Sequence, residues 1–251
     1  MANPSACGYP DETNTGVPPG TQLTVVSGDV HLTTPGMTYS NREVHGSIFV
    51  EANNIIIERV RVISDDWYPI RNFGSPNPTG TVIRDVEIDL DGMEEGKGIA
   101  FSNYTAQRVW FHNGLDCAHM GVNVTITDSF CDLPELSPGS DAHADGFQSD
   151  GGRNIVLRHN TIRNPNSQTA AILMSNNTGP IHTVTIDNNL MSGGGYTVYC
   201  GAVAPTPNSR FTNNRISREF FPRGGYWGPT TRCNVDVNSG NVWDDTVAPL
   251  G

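Results

Sequence analysis

Lysine is nearly absent from this sequence: Lys97 is the only one among 251 residues, and helix formers in general are scarce. No apolar run approaches the roughly 20 residues that a membrane-spanning helix needs, so no membrane partner is expected. The five cysteines have no CxxC spacing, which leaves a zinc or redox site without support. The start, Met1-Ala2-Asn3-Pro4, has neither the basic nor the apolar region of a secretory signal. Two expectations follow from it: a signal already removed, or a virion part released by lysis. Positive charge is short as well, with 15 Lys and Arg against 26 Asp and Glu, a net charge of −11. A uniformly acidic domain repels phosphate backbones, so nucleic acid is not an expected partner.

What the sequence has in abundance is 27 glycines, 17 prolines and 24 asparagines. These residues make turns, and frequent turns separate short strands. With 36% hydrophobic residues, 251 residues suffice for one all-β domain spanning positions 1–251. The cysteines pair most simply as Cys117–Cys131 and Cys200–Cys233, leaving Cys7 over, although sequence alone does not fix the pairing.

The informative feature is repetition. Alternating apolar residues followed by Asn, Asp or Gly recur in Asn54–Arg59, Gly80–Asp85, Arg108–Asn113, Asn123–Asp128, Asn154–Asn160, Thr183–Asn189, Arg210–Asn214 and Asn234–Asn238. With Ile57, Ile83, Phe111, Ile126, Leu157, Ile186, Phe211 and Val237 as markers, the spacings are 26, 28, 15, 31, 29, 25 and 26 residues. The spacing of 15 marks a shortened turn or a misplaced marker. Strands this short cannot bury an apolar face alone, but stacking successive copies at about 4.8 Å builds a continuous core. The expected fold is therefore an all-β, single-domain right-handed parallel β-helix, a solenoid of roughly 8 coils, with residues 1–20 as an N-terminal cap. A β-sandwich or propeller would call for adjacent strands joined by hairpin turns of the Asn-Gly kind or a period near 40 residues; Asn-Gly occurs once, at Asn113-Gly114, and the period is shorter. Asn160, Asn189 and Asn214 recur at one place in the repeat and are expected to bond one to the next.

A second set of strands lies between the markers. If Ile70, Ile99, Phe147, Ile172 and Val198 point inward, Arg71, Ala100, Gln148, Leu173 and Tyr199 form an outward column, flanked by Trp67-Tyr68 and by the loop 133–144. Trp110, between Val109 and Phe111, should also face outward.

The opening Cys7-Gly8-Tyr9-Pro10-Asp11-Glu12-Thr13-Asn14-Thr15-Gly16-Val17-Pro18-Pro19-Gly20-Thr21, the central His143-Ala144-Asp145-Gly146-Phe147-Gln148 and Gly151-Gly152-Arg153-Asn154-Ile155 resemble a module of actinobacterial secreted proteins and of actinobacteriophage tail or surface proteins. That module looks like a member of the pectate-lyase-like superfamily of right-handed β-helices. The resemblance implies the β-helix and a carbohydrate connection, but not catalysis. It also implies a cysteine where Ser47 stands here, a partner for the early Cys7.

The densest polar cluster is Asp141, His143, Asp145, Gln148, Asp150 and Arg153. A lyase would use His143 as base, Arg153 or Arg71 to neutralise a uronate carboxylate, and Tyr199 or Tyr68 as acid. A glycosidase would instead pair Asp145 with Asp150 or Asp141. The catalytic candidates are thus His143, Asp145, Arg153 and Tyr199, and the substrate-binding candidates Arg71, Gln148, Asp150, Trp67 and Tyr68. The same polar residues also fit turn and strand-end roles. No metal site or cofactor is expected; calcium enters only through the turn acids Asp65, Asp66, Asp89 and Asp91, which lack EF-hand spacing and read better as solvated. Two functions stay open: a module engaging polysaccharide or a cell-surface glycan, with lyase-like cleavage, or a non-enzymatic phage virion component such as a tail fibre, spike or adhesin. Either places the protein outside the cell or on a virion surface, with a homo-oligomer or virion assembly as a further partner.

Overall fold

The computed structural model describes residues 3–72, 74–92, 96–200, 206–231 and 233–250. Met1 and Ala2, where the expected cap begins, and Gly251 lie outside the described residues. The described chain is all-β, built of short strands and one 3-10 turn at Ser5–Cys7. Its strands form two sheets, of sixteen and nine strands, and every pairing between named strands is parallel.

The nine-stranded sheet runs strictly in chain order. It takes Val30–Leu32, Ile48–Val50, Ile70–Asn72, Lys97–Phe101, Asp116–His119, Phe147–Ser149, Ile172–Met174, Tyr196–Cys200 and Gly228–Thr230. Registers stack Val30, Ile48, Ile70, Ile99, Ala118, Phe147, Ile172 and Val198 in one inward row. All but Val30 are fully buried, because period-2 alternation sends every second side chain to the core.

The sixteen-stranded sheet begins with single long strands and then forks. Ile56–Ile63 and Thr81–Asp89 carry two inward rows each, with Arg59 (φ 51°) and Asp85 (φ 55°) bending them in the middle. Beyond Thr81–Asp89 the same bend divides each repeat into two strands, at Arg108, Asp128, His159, Asn188 and Asn213, all with φ between 51° and 56°, and in the last repeat at Gly240 with φ 72°. Asn, Asp and His tolerate this left-handed region better than most residues, whereas Arg59 and Arg108 occupy it at a cost of about 1–2 kcal/mol each. The column is balanced along its length: Arg108 donates to both oxygens of Asp85 at 2.6 and 2.9 Å, and His159 Nδ1 lies 2.8 Å from Asp128 Oδ1.

The fork corrects the marker row. Ile83 pairs with Ala106, and Ala106 with Ile126, so Ala106 belongs in the row with Ile57, Leu157, Ile186 and Phe211. Phe111 sits in the neighbouring row, between Ile88 and Cys131. Val237 pairs with Arg210, so the marker is one residue out of register there too. The spacing of 15 arose from Phe111, a large apolar residue taken in place of a small one.

The residue after each left-handed bend points inward, and from Ser129 onward it is polar. Asn160 Nδ2 donates to Asn189 Oδ1 at 3.0 Å, Asn189 Nδ2 to Asn214 Oδ1 at 3.0 Å, and Asn214 Nδ2 to Asn241 Oδ1 at 2.9 Å. Each carboxamide oxygen also accepts a backbone N–H from the preceding repeat, and each Nδ2 reaches a buried carbonyl. The ladder thus runs further than the three asparagines of the sequence pattern, starting at Ser129 and ending at Asn241.

Residues 3–20, expected as a cap, run along the flank of the larger sheet. Gly16 N–H donates to Arg108 O at 3.0 Å, Tyr9 Oη to Asn188 Oδ1 at 2.9 Å, and His159 Nε2 meets Gly8 O at 2.9 Å. Asp11 organises the turn itself, accepting from Ser5 N, Thr13 N and Thr13 Oγ1. Burial raises its pKa, but these bonds outweigh it and hold the carboxyl below its ordinary value. The segment also reaches Trp110, which is half-buried with Gly16 against its ring. Cys7 is exposed and unpaired, while Ser47 is buried and lies 3.2 Å from Ser64 Oγ and 3.1 Å from Asp66 Oδ2. Disulfides join Cys117 to Cys131 and Cys200 to Cys233.

Candidate functional site

The outer side of the nine-stranded sheet is where the sequence places a column of functional side chains. Registers set His31 beside Phe49 and Phe49 beside Arg71, and further along His119 beside Gln148, then Leu173, then Tyr199. Phe49, Arg71, His119, Gln148, Leu173 and Tyr199 are all half-buried. Ala100 keeps its expected place beside Arg71 but is fully buried, and the half-buried Phe101 ring lies 5.0 Å from that of Tyr68 and 5.9 Å from that of His119.

These rings wall a pocket of about 290 Å³ whose other side is polar: Gln148, Asp150 and Thr178, with Met120 and Gly121 between. Asp150 is held by three donors, Gln148 Nε2 at 2.9 Å, Ser175 Oγ at 2.7 Å and Asn177 Nδ2 at 3.3 Å. Its backbone carbonyl accepts from Thr178 N and Oγ1 at 2.7 and 2.8 Å, which fixes the far rim. His119 Nε2 lies 2.6 Å from Gln148 Oε1 and 3.4 Å from Asp116 Oδ2. Both neighbours are acceptors, so Nε2 carries a proton, and in the neutral ring Nδ1 is the acceptor.

Beneath the pocket lies a buried charge cluster. Asp116 is fully buried and meets Lys97 Nζ, the sole lysine, at 2.5 Å. The backbone N–H of Asp145 donates to Asp116 Oδ1 at 2.9 Å, and Asp145 Oδ1 accepts from Ala170 N at 2.9 Å. Burial, then the nearby Asp116 charge, pushes the Asp145 carboxyl well above the ordinary carboxylate range. Burial likewise raises Tyr68 and Tyr199 above a normal phenol, so both are neutral hydroxyls at neutral pH.

The polar cluster that is dense in sequence is divided in space. Gln148 and Asp150 line the pocket with Tyr68, and Asp145 is buried beside Asp116. His143 and Asp141 are exposed in the loop 133–144, and that loop is tied to the adjacent bend through Asn164, Asn166 and Thr169 rather than to the pocket. Arg153 is exposed on Gly152–Arg158 of the larger sheet, paired with Val122 and His182. Tyr199 is two strands along from Gln148, its ring 5.3 Å from Tyr196. Arg71 contacts Asp66 and lies 4.7 Å over the Phe49 ring, and Trp67 is 49% exposed beside them.

Sequence reasoning missed Lys97, Phe101, Asp116, His119 and Thr178. The strand Asp116–His119 carries only Cys117 and Ala118 as apolar residues, too weak an alternation to register. Of the turn acids considered for calcium, Asp66 is engaged with Arg71 and Ser47, and Asp89 with Asn113 and the Asp91 N–H. No group of three or more His, Cys, Asp or Glu among the described residues is placed to hold a metal ion. Comparison with protein-family models, with curated proteins and with solved structures finds no match to this chain.

Proposed function

We propose that the chain is a right-handed parallel β-helix of roughly eight coils, related to the pectate-lyase-like superfamily, that engages a polysaccharide along the outer side of its nine-stranded sheet. Nine strands pairing in chain order, each with its predecessor and successor, support the solenoid. The observation that carries the function is the pocket between the rings of Tyr68, Phe101 and His119 and the polar groups of Gln148, Asp150 and Thr178. Aromatic faces take the apolar side of a sugar ring, while amide, carboxylate and hydroxyl groups meet its hydroxyls. The two disulfides support a protein that works outside the cell or on a virion surface.

The test is a polysaccharide panel read for binding, for new reducing ends and for the ultraviolet absorbance of unsaturated uronate. Tyr68→Ala is expected to weaken binding roughly tenfold with an unchanged melting curve. Cleavage abolished by His119→Ala would add catalysis to the reading, since His119 is the histidine in the pocket. Absence of binding to every glycan by a folded protein would overturn the reading. A second reading, a non-enzymatic virion adhesin or assembly element, is favoured by Tyr226 and Trp227, 45% and 58% exposed with rings 4.7 Å apart.

A further inference from the structure

The pocket has a negative charge left over. On this face Asp66 contacts Arg71, and Asp116 meets both Lys97 and His119. Asp150 has no cationic partner among the described residues; its donors are the neutral groups of Gln148, Ser175 and Asn177. Ser175 and Asn177 both bond Oδ1, and Gln148 alone bonds Oδ2, so Oδ2 keeps an open acceptor position.

The remaining polar atoms point the same way. His119 Nε2 is the donor to Gln148 Oε1, which leaves Nδ1 as an acceptor. Thr178 Oγ1 spends its proton on the Asp150 carbonyl and offers lone pairs. A wall rich in acceptors, with one carboxylate lacking a cationic partner and the rings of Tyr68 and Phe101 also lining the pocket, fits a ligand rich in donors and positively charged.

We propose that the pocket binds a glycan through a protonated amino sugar, a hexosamine whose amine is not acetylated. This rests on the glycan-binding reading above and specifies its substrate class. The ammonium brings three donors and the charge that Asp150 lacks. A uronate would set a second anion beside Asp150, and N-acetylation removes the charge. The net charge of −11 favours the approach of a cationic chain over an anionic one.

The test is calorimetric titration with short glucosamine oligomers and their N-acetylated counterparts near pH 7, where an ordinary imidazole is mostly neutral and the amine still carries charge. The free-amine oligomers are expected to bind at least about tenfold more tightly. Asp150→Asn should remove that preference, and Asp141→Asn, an exposed carboxylate outside the pocket, should leave it intact. The Asp141 variant matters because any acidic protein attracts a polycation, and both variants change net charge equally. Equal affinity for the N-acetylated oligomers, or a preference that survives Asp150→Asn, overturns the amino-sugar assignment while leaving glycan binding in place. No binding to any glycan of the panel overturns both.

Discussion

Replacing Asn189 with alanine is expected to cost about 3–5 kcal/mol and to lower the melting temperature by on the order of 10 °C. Asn189 is fully buried and stands in the middle of the ladder. Its Oδ1 accepts from Asn160 N and Asn160 Nδ2, and its Nδ2 donates to Leu157 O and Asn214 Oδ1, all at 3.0 Å. Truncation strands the Asn160 backbone N–H, one of the two N–H bonds of Asn160 Nδ2 and the bond to Leu157 O where water cannot follow, at about 1–3 kcal/mol for each stranded group. Asn189→Asp is the sharper test. The new oxygen would face Leu157 O, Asn214 Oδ1 and Asp187 O, three acceptors, and an ionised carboxylate would be buried among them. It should destabilise more than alanine at neutral pH and recover part of the loss in acid, when the carboxyl regains a proton to donate. Asn213→Gly is the control: it keeps the left-handed φ of 56° at an exposed position and should change little. Denaturant melts of the four proteins decide it, and equal stability of Asn189→Ala and wild type would mean the ladder adds nothing to the fold.

How much of this was legible in the sequence follows from the size of the signals. The ladder's Asn160, Asn189 and Asn214 follow clear apolar alternation, so their shared position is visible. Ser129 holds the same position but breaks the pattern of residue type, and Asn241, although an asparagine, belongs to the last repeat, whose marker Val237 is one residue out of register. The inward rows were found where they carry Ile, Leu or Val. Ala106 was passed over because a small side chain does not announce a row, and Phe111, from the neighbouring row, took its place. The all-β architecture with parallel strands survives such slips, since it depends on the rows existing and not on which residue marks each.

The site was less legible for a different reason. Sequence proximity gathered His143, Asp145, Gln148, Asp150 and Arg153 into one cluster, but a strand alternates its faces and a bend changes sheets. Gln148 and Asp150 reach the pocket, Arg153 falls on the other sheet, and His143 stays in a loop. The residues that complete the pocket come from other repeats, 28 to 82 positions from Asp150 in sequence: Tyr68, Phe101, His119 and Thr178. Only the register brings them together.

The buried floor of that pocket gives the second large effect. Asp145→Asn is expected to make the protein more stable than wild type, by a margin that grows with pH. Burial, then Asp116, raises the folded-state pKa of Asp145, with the Ala170 N–H and Lys97 opposing them. A raised folded pKa means that the stabilisation belongs to the protonated form. It is fully present below the unfolded value of about 4 and is lost as pH rises toward the folded value. Over that window this one group removes up to about 1.4 kcal/mol per pH unit from wild type. Asparagine keeps an oxygen for the Ala170 N–H and has no charge to bury near Asp116. Asp11, Glu58, Glu87 and Asp187, whose carboxyls are held below their ordinary values, add stability of the opposite slope, but they are common to both proteins and cancel in the difference. Urea melts of both proteins at pH 4, 5, 6 and 7 therefore isolate Asp145. Curves that stay parallel across that range would mean Asp145 is already ionised in the fold, sharing Lys97 with Asp116. Curves that diverge would place a neutral acid beside Asp116, leaving Asp150 as the pocket carboxylate without a cationic partner among the described residues.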